Sequence, residues 1–248
     1  MLEVRGISKS FGGVHASRDV TLTVPQGGIT SLIGPNGAGK TTLFALITGF
    51  HRPDSGSLAF MGEDITGLPP EAIARRGMIR TFQIVQPFAG QTARENIAVG
   101  AHLRLRSRAA ALARADTVAR QVGLGDRLEM DAASLTVAGR KRLEVARALA
   151  TEPKLILFDE VLAGLNPSEI RDVIPIIRAI SDSGVTILLI EHVMQAVMSL
   201  SAYTWVLNQG EIIAEGIPRD VVANPKVIEA YLGKGMAERM ANREATRA

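Results

Sequence analysis

The eight residues GPNGAGKT, positions 34–41, constrain this chain more than any other stretch of it. They fit the pattern G-x-x-x-x-G-K-[ST], and they stand between an apolar pentapeptide, ITSLI, and an apolar helical stretch, TTLFALITGF. That order has a physical reason. A strand delivers the chain to a loop whose glycines let backbone N–H groups converge on phosphate oxygens, and the following helix adds the positive end of its dipole. In such a loop Lys40 reaches the terminal phosphates and the Thr41 hydroxyl is offered to Mg²⁺. The alternative, a glycine-rich turn with an incidental lysine, leaves the complete pattern and its context unexplained.

The flanking chain predicts a sheet to carry the loop. Before it, LEVR and DVTLTV predict strands, the second with apolar residues at alternate positions, then a PQGG turn and ITSLI. After it come the helix TTLFALITGF, an RPDSG turn, a strand at SLAFM, a proline-initiated short helix at PPEAIARRG and a strand at IRTFQ. From about 91 to 152 the pattern turns helical, rich in Ala, Arg and Leu, which predicts an inserted helical lobe. Alternation resumes with LILFDE, PSEIRDVIPIIRAISDSG, VTILLIEH, VMQAVMSLS, YTWVLNQG and EIIAEG. Apolar strands alternating with helices predict a parallel sheet covered on both faces. PRDVVANPKVIEAYLG supplies two more short helices.

Composition closes off other classes. At 248 residues, with 46% hydrophobic and 21% charged residues, the chain can bury a full core and is not a disordered one. It has no cysteine, which excludes disulfides and thiolate metal sites and fits a reducing compartment. The runs LILF and TILLI fall far short of the roughly 20 apolar residues that span a bilayer, and MLEVRGISKSFGG lacks the apolar core of a secretion signal, so a cytoplasmic location is expected. The net charge of +3 lies mostly on arginines at 102–120 and in the last residues, mixed with Ala, Asp and Glu. That mixture predicts solvated helix faces, and no nucleic-acid partner is expected.

LILFDE ends a buried strand in two carboxylates. Taken alone this means a solvated strand end; beside a phosphate loop it places Asp159 to bind the metal and Glu160 to act as general base on an attacking water. VTILLIEH brings His192 to the end of a second apolar strand, where neighbouring parallel strands present their ends at one edge, so that its imidazole can meet the γ phosphate. His15, His51 and His102 sit in turn or helix contexts and are given no role. LTVAG, positions 135–139, stands in front of RKRLEVARALA and reads locally either as an altered phosphate loop or as a plain helix start.

With these pieces in order, the chain resembles the ATP-binding subunit of ABC transporters along nearly its whole length, and RTFQ, AGLNP, LLIEH, VLNQG and NPKVIEAYLG are similar to the subunit serving branched-chain or hydrophobic amino-acid importers. The resemblance implies an α/β fold: a P-loop NTPase, RecA-like core with an antiparallel β subdomain (1–90 and 151–234), a helical signature lobe (91–150) and a tail (235–248). It implies ATP held by Phe11, stacked on adenine, and by Gly34, Pro35, Asn36, Gly37, Ala38, Gly39, Lys40, Thr41 and Thr42. Mg²⁺ is assigned to Thr41, Gln83 and Asp159, and catalysis to Glu160, His192 and Gln83.

LTVAG then occupies the signature loop, with Thr136, Val137, Ala138 and Gly139 acting in trans on a second subunit's nucleotide, and AGLNP (163–167) crosses the dimer interface. Ala138 replaces the glycine that matters most and is expected to strain a φ > 0 position, unless a one-residue slip, the minor reading, puts Gly139 on that glycine. Arg140, Lys141 and Arg142 oppose the helix dipole and, unless phosphate is nearby, are expected to be merely tolerated. The implied partners are a sister ATPase, integral-membrane permease subunits and, indirectly, a substrate-binding protein. The subunit is then peripheral on the inner face of the cell membrane. Competing expectations are a weakly hydrolysing regulatory subunit and a non-transport ATPase acting on nucleic acid.

Overall fold

The computed structural model describes residues 1–82 and 86–233. In chain order it runs β1 (Leu2–Phe11), β2 (Val14–Val24), β3 (Ile29–Ile33), α1 (Lys40–Ile47), β4 (Ser55–Phe60), β5 (Glu63–Asp64), α2 (Pro70–Arg76) and β6 (Met78–Arg80). A helical section follows, α3 (Ala93–Ala101), α4 (Arg108–Gln121) and α5 (Val137–Ala150). The chain closes with β7 (Leu155–Asp159), α6 (Pro167–Asp182), β8 (Thr186–Ile190), α7 (Met194–Leu200), β9 (Tyr203–Asn208), β10 (Glu211–Gly216), α8 (Pro218–Ala223) and α9 (Pro225–Leu232). Among these helices none is long and apolar enough to cross a membrane.

The strands form two sheets. One is antiparallel, in the order β2-β1-β4-β5. The other runs β10-β9-β3-β8-β7-β6, parallel throughout except for the β10 edge. The three central strands β3, β8 and β7 are buried at every position, as their unbroken apolar sequences require of a sheet covered on both sides. Alternation along them sorts the core. Leu155, Leu157, Leu188 and Ile190 pack with α1 and the antiparallel sheet, while Ile156, Phe158, Ile187 and Leu189 pack with α6 and the helical section.

The helical section is held by small residues. Ala93, Ala101, Ala111, Ala115, Ala119 and Ala146 are all fully buried, so the helices approach closely. At the α3–α5 crossing a Cβ on Gly100 would lie 2.2 Å from the Arg147 carbonyl oxygen, closer than any side chain tolerates. This core is continuous with that of the α6 face of the sheet.

Two elements differ from the sequence expectation. The β1–β2 hairpin, whose outer half is mostly polar and carries no apolar alternation for a sequence reading to find, extends to a Phe11↔Val14 pair, well past LEVR and DVTLTV. Among the described residues of IRTFQ, strand ends at Arg80, with Thr81 still donating its N–H to the Leu157 carbonyl at 3.0 Å.

Candidate active site

The phosphate loop is fixed by its backbone. Gly34 has φ +155 and Gly39 φ +102; a Cβ on Gly34 would sit 2.0 Å from the Leu207 carbonyl of β9, and one on Gly39 2.2 Å from the Ala16 carbonyl of β2. Only glycine fits where the loop is pressed between two strands. Lys40 is buried, and its ammonium donates to the carbonyls of Gly34 at 2.8 Å and Pro35 at 3.0 Å. Burial pulls its pKa down, and the carboxylates of Glu160 and Asp159 oppose that shift. Over the loop opens a cavity of roughly 820 Å³, lined by every residue from Gly34 to Thr42 and by Val14, His15, Ala16, Glu160, His192 and Tyr231.

Parallel register brings the catalytic candidates to this cavity. Asp159 pairs with Ile190, so Glu160 and His192 leave β7 and β8 at the same edge, and both reach the cavity wall. Glu160 has φ +51, a conformation that costs a non-glycine residue on the order of 1 kcal/mol and must be held by its surroundings. Its N–H donates to the Ile190 carbonyl at 3.0 Å, and its own carbonyl accepts the Ala163 N–H at 3.1 Å and the Lys141 ammonium at 3.2 Å. Lys141 therefore corrects the expectation that the basic residues opening α5 are merely tolerated: it is buried and braces the strained residue.

Asp159 is buried beside these groups. Its Oδ2 accepts Arg80 Nη2 at 2.7 Å, and its Oδ1 is buried without a hydrogen-bond partner. Burial pushes its pKa up, and the Arg80 guanidinium pulls against that. Asp159, Thr41 and Arg80 line a second cavity of roughly 650 Å³ together with Phe82, Gln86, Phe88, Glu144 and Arg147, and Thr41 lines both cavities. Among the described residues no cluster of three or more His, Cys, Asp or Glu could hold a metal alone. The orphaned Asp159 oxygen and the Thr41 hydroxyl instead fit an ion that takes its remaining ligands from phosphate and water, the usual coordination of Mg²⁺.

Other predicted site residues lie elsewhere. Phe11 does not line the cavity; 43% exposed, its ring meets His51 edge-on at 5.2 Å, with the Lys9 ammonium 5.4 Å from its centroid. Gln83 lies outside the described residues. Thr136, Val137, Ala138 and Gly139 are not among the residues lining either cavity. Thr136 is the N-cap of α5, its Oγ1 accepting the Gly139 N–H at 3.1 Å, and Val137 and Ala138 form the first turn. Ala138 is thus helical and not in the φ > 0 region, so the expected backbone strain does not exist.

The sequence reading missed several residues around the site. His15, given no role, lines the first cavity, as does Tyr231 of α9. Arg80 pairs with Asp159, and Glu144 of α5 accepts the Phe82 N–H at 2.6 Å beside the segment that leads to Gln83. Arg80 had one available signal, a charge ending an otherwise apolar strand; Glu144, among Arg140, Lys141 and Arg147 on its helix face, had none.

Comparison with known proteins matches this geometry. The family described as "ABC transporter" matches residues 17–163, and the family described as "Branched-chain amino acid ATP-binding cassette transporter" matches residues 211–237. The chain belongs to the ABC transporter family.

Within it, the chain is similar to the high-affinity branched-chain amino acid transport ATP-binding protein BraF of Pseudomonas aeruginosa, 42% identical over 94% of this chain and 98% of that protein. It is 40% identical to the LivG protein of Escherichia coli, described in the same words, over the same shares of each chain. Among solved structures, a nucleotide-free ATP-binding cassette from an ABC transporter superposes with TM-score 0.86 at 32% identity, covering 94% of this chain and 99% of that one. A cassette in its ADP conformation gives TM-score 0.86 at 33% identity with the same coverage. The cavity over the phosphate loop therefore belongs to an ABC cassette.

Proposed function

We propose that this chain is the ATP-binding and hydrolysing subunit of an importer for branched-chain or other hydrophobic amino acids. One observation carries the chemistry: a single cavity is lined by the complete loop from Gly34 to Thr42 and by Glu160 and His192. The substrate class is supported by relatives at 40–42% identity and by the match over 211–237.

The phosphates lie along the N–H groups of the loop, with Lys40 meeting the terminal ones. Thr41, Asp159 and Gln83 would hold Mg²⁺, which when bound would neutralise charge on the phosphate oxygens. Arg80 turns Asp159 so that Oδ1 stays free for that duty. Glu160 takes a proton from the attacking water, and His192 faces the γ phosphate from the neighbouring strand. Phe11, 43% exposed on the hairpin whose Val14, His15 and Ala16 line the cavity, stacks on the adenine.

The signature segment serves a second cassette. Its residues do not line this chain's own cavity, and Val137, 48% exposed, stands at an open helix start whose first N–H groups suit a phosphate. Membrane permease subunits dock on the aromatic surface beside the Gln83 segment, where Phe50, Phe82, Phe88 and Val99 are exposed, and hold the subunit at the inner face of the membrane.

The test is co-purification with the membrane partners and measurement of ATP hydrolysis stimulated by amino acids presented on their binding protein. Glu160→Gln should lower stimulated turnover by about 10²–10⁴-fold while MgATP still binds. Turnover that survives this substitution, or stimulation by nucleic acid in place of an amino acid, overturns the reading.

A further inference from the structure

We propose that Glu191 is a positioning residue for hydrolysis, a buried strut that ties the segment entering AGLN to the turn that carries His192. The proposal rests on the reading that Glu160 and His192 act at this chain's nucleotide.

Glu191 follows directly on β8 and is fully buried. Its Oε1 accepts the Leu162 N–H at 2.8 Å, across 29 positions of sequence, while its Oε2 is buried without a hydrogen-bond partner. His192 and Val193 follow it directly in the chain and open the turn that leaves β8. One residue therefore joins two loops, the first by a side-chain hydrogen bond and the second through the chain itself. On one side Leu162, itself buried, is the residue before Ala163, whose N–H is fixed to the Glu160 carbonyl at 3.1 Å. On the other side is the turn that aims His192 into the nucleotide cavity.

A carboxylate in this apolar setting is costly to bury, and a leucine would fill the same space with less penalty. What the carboxylate adds is placement. Any displacement of AGLN by a second cassette passes through Glu191 to His192, and a change at His192 passes back, so the two sites of a pair become linked through one side chain. Burial lifts the Glu191 pKa to about 7, and the neighbouring charge of Glu160 pushes in the same direction. The strut thus changes its charge within the working range of pH.

Glu191→Leu and Glu191→Gln in the full chain test this by amide exchange at Leu162, by MgATP binding, and by kcat and KM for ATP over about pH 6 to 9. Glu191→Leu should speed Leu162 exchange and lower kcat, each by roughly tenfold, with KM and MgATP binding changed less than about threefold. Glu191→Gln keeps the acceptor; it should retain a third or more of kcat, roughly, and lose the change in kcat that the wild type shows across about pH 7. Wild-type kcat in Glu191→Leu overturns the proposal. So does a loss shared fully by Glu191→Gln with KM rising in parallel, which marks a merely structural residue. If instead Glu160→Gln fails to reduce turnover, the assignment of the site is wrong, and the Leu162 exchange still reports whether the strut exists.

Discussion

The two functional faces of this cassette are held by different means. At the phosphate loop the constraint is in the backbone, since a Cβ on Gly34 or Gly39 would meet a carbonyl oxygen at 2.0 or 2.2 Å. At the face proposed to meet a second cassette it is in side chains. Thr136 Oγ1 accepts the Gly139 N–H, Asn166 Oδ1 accepts the N–H groups of Ser168 and Glu169 in a capping box, and Glu191 accepts that of Leu162. A clash with a main-chain carbonyl leaves one residue type. A cap can be filled by Ser, Thr, Asp or Asn with little difference in stability. The first face is therefore spelled in sequence as a strict pattern, and the second tolerates change.

The largest effect should come from breaking the backbone-held face. Gly39→Ala places a methyl at φ +102 against the Ala16 carbonyl, costing on the order of 1–3 kcal/mol from the dihedral alone and displacing β2 or the loop as well. MgATP affinity and turnover should both fall by more than about 100-fold, measured by nucleotide binding and steady-state hydrolysis. Near-normal binding would show that the loop relaxes, and the contrast between the faces would fail.

A smaller effect should come from the side-chain-held face, and its sign follows from Glu191. The folded-state pKa is raised from 4.5 to about 7, so the folded chain keeps a proton that the unfolded chain has already released in between. Stability therefore falls as pH rises across that window and levels off above it, by a total on the order of 3 kcal/mol. Glu191→Gln has no such proton. Relative to wild type it should gain stability between pH 5 and pH 8 by about that amount, read from denaturant midpoints at the two pH values. Equal pH dependence of the two proteins would place the ionisation elsewhere.

The same division explains what could be read from sequence. ITSLI before GPNGAGKT, LILF before Asp159 and Glu160, and VTILLI before His192 are short apolar strands leading into chemistry, and parallel register then brings Lys40, Glu160 and His192 to one cavity. Arg80, Glu144, Lys141 and Glu191 were not legible as functional. Each acts on a partner far along the chain, Arg80 on the Asp159 carboxylate and Lys141 on the Glu160 carbonyl, and no local pattern names the distant group that a side chain will meet. The outer half of the β1–β2 hairpin was missed for a related reason: its strands are held by each other's backbone and not by an apolar face.

The smallest effect concerns Ala138, and here the comparison itself sets the size. If Ala138 occupied a φ > 0 position, its substitution for glycine would misplace an N–H, and losing one such donor costs about 3–4 kcal/mol of transition-state stabilisation. The residue is instead in the first turn of α5, capped by Thr136, and its N–H stays in that turn. Ala138→Gly then relieves no strain and gives up as much as about 1 kcal/mol of helix propensity. What it removes is a methyl group at the helix start. In a pair with its sister subunit, Ala138→Gly should raise hydrolysis at the sister's site by no more than about fivefold, with thermal stability of the variant unchanged or slightly lower. A gain of about 100-fold would mean that the segment leaves its helical turn when two cassettes close, so that this face is governed by backbone after all.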